Sequence, residues 1–128
     1  MTTRPAPRLA HVTLELACEP GHPLGDRDHR YHLYLPLDDE GHVAGDHCVE
    51  HGASCRVRRF RPGEPETRGR IVRSTTGELT FDYSESGICE RETGVAADGY
   101  PIVPGIELRI REDDGIDHRL QVISVRRE

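Results

Sequence analysis

Lysine, asparagine and tryptophan are absent from these 128 residues, and Gln121 is the sole glutamine. That excludes a Schiff-base lysine, a P-loop lysine, an asparagine oxyanion donor and N-glycosylation. No G-x-S-x-G, H-E-x-x-H or glycine-rich phosphate loop occurs, so no standard hydrolase, zincin or nucleotide fingerprint is present. No apolar run approaches the about 20 residues of a spanning helix. The opening MTTRPAPRLA has no apolar core of a secretory signal. Four cysteines, Cys18, Cys48, Cys55 and Cys89, include no C-x-x-C pair. Reduced thiols in a cytoplasm are therefore the expectation.

What remains is charge and short alternating segments. Apolar residues make up 34% of the chain and charged residues 31%, with a net charge of -6. A single domain with a small core and a heavily charged surface fits that balance. The acidic balance argues against non-specific binding to nucleic acid or anionic membranes.

The clearest stretch is Pro104 to Arg126. Ile106, Leu108 and Ile110 alternate with polar residues, as do His118, Leu120 and Val122, which is the period of half-buried strands. A three-residue loop, Asp113-Asp114-Gly115, with glycine in the left-handed position, closes a hairpin with a G1 bulge. It sets Ile106 opposite Val122, Leu108 opposite Leu120 and Ile110 opposite His118, whereas a two-residue turn would set Leu108 against Gln121. Ile123 and Val125 have the other parity, so the last strand is expected to be buried on both faces.

Residues 1–7 read as a frayed tail. Arg8 to Ala17 is a strand with Ala10, Val12, Leu14 and Leu16 on one face. Cys18 to His29 is a Pro/Gly-rich loop. Arg30 to Leu37 is a second strand with Tyr31, Leu33, Leu35 and Leu37 inward, and Pro36 marks its terminus or an edge. Val43 to Gly52 is the one candidate helix, placed to cap an open end. In the strand from Cys55, Val57 and Phe60 share a face only if a bulge falls at Arg58-Arg59. Ile71-Val72 lies in a fourth strand, and Leu79, Phe81 and Tyr83 line a fifth. Ser84 to Gly99 shows no period and reads as a long acidic loop.

These features describe a mainly β domain, a small antiparallel barrel or strongly bent sheet of about seven strands with one short helix. Val103-Pro104-Gly105, Ile110-Arg111-Glu112, Asp114-Gly115, His118 and Val122-Ile123-Ser124-Val125 resemble the closing signature of a small bacterial family of uncharacterised proteins. Cys55 to Phe60 and Phe81-Asp82-Tyr83 resemble it as well. The resemblance runs from about Tyr31 to Val125 and implies a fold without implying an activity. Cys48 stands where that family leads one to expect a bulky aromatic.

Three constellations could carry chemistry. The first is Arg56, Arg58, Arg59 and Arg61 around Phe60, followed by Arg68, Arg70 and Arg73. If adjacent strands pair, these guanidinium groups form a positive face for an anionic small molecule or an acidic protein segment. The simpler reading is solvated pairing with Glu64, Glu66 and Glu78. A nucleic-acid ligand would need stacking aromatics beside the charge, and only Phe60, Phe81 and Tyr83 are near in sequence. The second is zinc. His47, Cys48, His51 and Cys55 are ligand types that zinc prefers, with Cys18 and His22 as a further pair, but the spacing matches no standard module. The third is catalysis by an inward His118 with Asp82, Glu112 or Asp114 as its carboxylate. Of the three, binding through the arginine face or the 84–99 loop is the function expected. A structural zinc site and a small His/carboxylate enzyme are the alternatives.

Overall fold

A computed structural model describes residues 8–17, 23–43, 55–73, 79–87, 91–95, 101–112 and 114–127. They form a closed antiparallel barrel in which each strand pairs with the next and the last pairs with the first. The strands are β1 (Arg8–Leu16), β2 (Asp26–Leu37), β3 (Arg56–Phe60), β4 (Thr67–Arg73), β5 (Leu79–Asp82), β6 (Arg91–Val95), β7 (Glu107–Arg111) and β8 (Asp117–Arg127). Eight strands give an interior just wide enough for side chains to fill. Closure also leaves no sheet edge to protect.

The mainly β architecture is the one expected, with eight strands in place of seven. The additional strand is β6, which lies inside the segment expected to be a long loop. That segment also carries a 3-10 turn at Ser84–Ser86, the only helical turn among the described residues. The candidate helix and the frayed tail fall outside the described residues, except that Val43 bridges Leu37. β2 begins at Asp26, so residues 26–29, expected in the loop, belong to the strand.

Alternation explains the inner wall. Ala10, Val12, Leu14 and Leu16 from β1 are buried, as are Tyr31, Leu33, Leu35 and Leu37 from β2. Leu79 and Phe81 from β5, Leu108 and Ile110 from β7, and Leu120 and Val122 from β8 complete the core with Val57 and Ile71. The hairpin register is as expected, with Leu108 opposite Leu120 and Ile110 opposite His118. Gly115 has φ 76°, and its N–H donates to the Glu112 carbonyl at 2.9 Å. Pro36 lies one residue from the end of β2, beyond Tyr34, the last residue of β2 that pairs with β3.

Two expectations are corrected. β8 is not buried on both faces, since Ile123 is 45% exposed. The pairing of β8 with β1 shifts there, from Leu14 opposite Val122 to Thr13 opposite Ser124. A bulge at Ile123 resets the parity, so Val125 returns to the inner face opposite Val12. The mixed parity that suggested two buried faces is the mark of one extra residue. β3, conversely, has no bulge. Its register with β2 is continuous from Tyr34–Arg56 to Arg30–Phe60, Arg59 points inward at 3% exposure, and Phe60 lies outside.

Candidate anion-binding face and the polar mouth of the barrel

The β3 register sorts the arginines onto two sides of the wall. Arg56 and Arg58 lie on the outer face with Phe60, while Arg59 turns inward and Arg61 ion-pairs with the buried Glu92. Arg56 is opposite Tyr34 on β2 and Arg70 on β4, and Arg58 is opposite His32 and Arg68. Outside the barrel these rows border a groove of 560 Å³ lined by Tyr34, Arg56, Val57, Arg58, Arg68 and Gly69. No acidic side chain is among those lining residues. Glu66 lies nearby and ion-pairs with both Arg58 and Arg68, so a single carboxylate is shared by two guanidinium groups.

Rings continue the face beyond the groove. His11 on β1 stacks on Tyr34 with centroids 4.6 Å apart and planes 16° apart. Its Nε2 is 2.7 Å from His32 Nδ1, a contact in which one imidazole donates and the other accepts. His32 meets Phe60 edge-on, and the Arg30 guanidinium lies 4.6 Å from the Phe60 centroid. Burial, then the neighbouring His11 and the charges of Arg58 and Arg30, push the His32 pKa down to about 4. Burial, Arg126 and Arg58 lower that of His11 too. Both rings are therefore neutral at neutral pH.

The second cluster fills one end of the interior. Glu92 on β6 is 0% exposed and accepts from the hydroxyls of Tyr83 and Tyr31. It also accepts from Arg61 Nη2 at 2.7 Å and lies 3.4 Å from Arg59 Nη1. Arg59 in turn stacks over the Tyr83 ring at 4.5 Å. Glu112, just past β7, meets the Tyr31 hydroxyl at 2.7 Å, His29 Nε2 at 2.6 Å and Arg61 at 3.2 Å. At the rim His118 Nε2 is 2.9 Å from Asp114 and 3.7 Å from Glu112.

Tyr31 has one hydroxyl proton and two carboxylate oxygens within reach, so it donates to one of them at a time. Two like-charged groups sharing such a site titrate apart. Burial raises the Glu92 pKa above its ordinary value, and the neighbouring Glu112 adds to the rise, against the hydrogen bonds from Tyr83 and Tyr31 and the charge of Arg59 that oppose it. Burial acts the same way on Glu112, but hydrogen bonds from His29 and Tyr31 and the charges of His29 and Arg61 outweigh it and lower that pKa. Tyr31 itself is raised by burial and then by the two carboxylates.

The pH dependence of stability therefore has two flanks. Glu112, with a lowered folded pKa, contributes stability present above its unfolded value and lost as pH falls through the folded value. Glu92, with a raised one, contributes stability present below its unfolded value and lost as pH rises through the folded value. Urea-unfolding midpoints measured across the acid range should lose the acid-side fall in Glu112→Gln and the fall on the higher-pH side in Glu92→Gln. Profiles parallel to the native one in both variants would contradict the assignment.

Several residues expected at one site are separated. His118 has its carboxylate partners in Asp114 and Glu112, whereas Asp82 caps the Ser84 N–H and pairs with Arg91. Of the zinc candidates, Cys55 is buried in the apolar core, and His47, Cys48 and His51 lie outside the described residues. Glu112, Asp114 and His118 offer three ligand atoms within 4.8 Å of one another. Arg61 beside Glu112 supplies positive charge at that same point, which opposes a cation there. The sequence does not single out Tyr34 and His11 on the outer face, or Glu92 and His29 inside; Tyr31 is inward as expected, but its two carboxylate partners are not foreseen. The parity of β2 was the signal for Tyr34; nothing local marks Glu92 as an inward residue.

The fold and its outer face define a class, a small up-and-down antiparallel barrel with an arginine-bordered groove on its wall. No protein-family model, curated protein or solved structure matches the chain. No helix among the described residues is long and apolar enough to cross a membrane.

Proposed function

We propose that this barrel is a binding module for an anionic ligand, held on the outer face of β2, β3 and β4. The observation that carries the reading is the groove in which Arg56, Arg58 and Arg68 converge beside Tyr34. Guanidinium groups bind phosphate and carboxylate bidentately, and a volume of this size suits a small molecule. Glu66 already occupies two of the arginines as an internal acceptor, and an incoming anion competes with it.

The test is thermal unfolding at low salt with and without pyrophosphate. A ligand that binds only the folded state at a hundredfold excess over Kd stabilises by about 2.7 kcal/mol. The midpoint should rise in the native protein, rise further in Glu66→Gln, and stay unmoved in an Arg58→Ala, Arg68→Ala double variant. An unmoved midpoint in the native protein counts against the site.

A second reading is acid–base chemistry at the barrel mouth. The contact that favours it is His118 Nε2 to Asp114 at 2.9 Å, with the His118 side chain 14% exposed. A carboxylate-oriented imidazole reachable from solvent is a minimal general base.

A further inference from the structure

We infer that the groove on β2–β4 takes a single nucleotide, a planar ring carrying phosphate, with the phosphate on the arginines and the ring against Tyr34. The inference rests on the anion-binding reading and adds the ring. The barrel register assembles stacking groups that are far apart in the chain. One row across four strands runs His11, Tyr34, Arg56, Arg70, and the next runs Thr13, His32, Arg58, Arg68. Aromatic residues on β1 and β2 thus stand directly beside guanidinium groups on β3 and β4. Each ring that seemed missing beside the charge is supplied by a neighbouring strand.

The chemistry of the face suits a base as well as a phosphate. Tyr34 lines the groove while His11 stacks on one face of its ring, so the phenol is held in one orientation and offers its other face to a base. A preorganised aromatic surface stacks bases with little selectivity among them, because every base has a π-face. Guanidinium planes stack on rings too, and they bind phosphate oxygens in the same position. The His11–His32 pair, hydrogen-bonded and neutral, keeps polar edges on the face without adding positive charge. At 560 Å³ the groove is the size of a small-molecule pocket, and its described lining residues lie on three adjacent strands, a span that suits one nucleotide.

Isothermal titration calorimetry on the full chain at low salt tests this with adenosine monophosphate, ribose phosphate, inorganic pyrophosphate and a single-stranded oligoadenylate. Base stacking predicts that adenosine monophosphate binds on the order of tenfold tighter than ribose phosphate. Tyr34→Leu should abolish that difference while leaving pyrophosphate binding intact. Equal affinity for adenosine monophosphate and ribose phosphate overturns the ring and leaves the anion site standing. No binding of any probe, pyrophosphate included, overturns both. An oligoadenylate that binds far tighter per site than the mononucleotide overturns the single-nucleotide assignment in favour of a strand. The native-protein comparison needs no variant, so a failure of Tyr34→Leu to fold does not protect the proposal.

Discussion

Glu92→Ala is expected to destabilise the barrel by about 3–5 kcal/mol, the cost of breaking a buried ion pair and leaving its partner charged. Glu92 has no exposed surface, and Arg59 beside it is only 3% exposed. Removing the carboxylate leaves the Arg59 guanidinium in the interior without the anion 3.4 Å away. Tyr83 loses the acceptor of its hydroxyl at the same time, and Arg61 loses its 2.7 Å contact. The loss comes from what stays behind, so a paired replacement should be far milder. Arg59→Met combined with Glu92→Leu removes both members of that pair and fills the volume, and it should recover the part of the loss owed to Arg59, while Tyr83 and Arg61 still lack their acceptor. Urea unfolding of the single and double variants measures the coupling. If Glu92→Ala cost no more than a surface substitution, the cluster would contribute nothing to holding the mouth together.

Gly69→Ala should cost about 1–3 kcal/mol through overpacking, at the upper end of that range. Gly69 sits opposite Val57 on β3, on the face that Tyr83 crosses to reach Glu92. A Cβ there would lie 2.5 Å from the Asp82 carbonyl oxygen and 2.7 Å from Tyr83 Cδ1. The first is backbone and cannot rotate away. The second is a ring whose hydroxyl is fixed on Glu92. Relief therefore requires β4 to move from β5, or Tyr83 to leave its acid. Tyr83→Ala removes only one of the two obstacles, so Gly69→Ala should remain costly in that background. A neutral Gly69→Ala by thermal unfolding would mean that β4 and β5 separate easily.

The apolar half of the barrel was legible because its strands obey a period of two. Ala10 to Leu16, Tyr31 to Leu37 and the Leu108–Leu120 hairpin all carry their inward residues at alternate positions. The polar half was not legible, for one physical reason. Where the interior is filled by Glu92, Arg59 and Glu112, the inward residue looks like a surface residue, and alternation marks nothing. β6 shows no apolar alternation because its inward side chain is an acid. An inward Phe60 requires a bulge at Arg58-Arg59, whereas the continuous register turns Arg59 inward to a carboxylate and a tyrosine ring. The outer groove was half legible. Arg56 and Arg58 stood out as a run, but Tyr34 and His11 join them only through pairing between strands distant in the chain.

Pairing of β1 with β8 also sets an order on biosynthesis. Leu14 finds Val122 and Val12 finds Val125 across more than a hundred intervening residues, so the opening strand has one neighbour early and must wait for the other. Contacts of that span close slowly. Until β8 leaves the ribosome, the free side of β1 is a bare template on which a second nascent chain could pair. Conditions that slow translation of the codons for β8 should therefore lower the yield of folded barrel more than those that slow translation of the codons for β1.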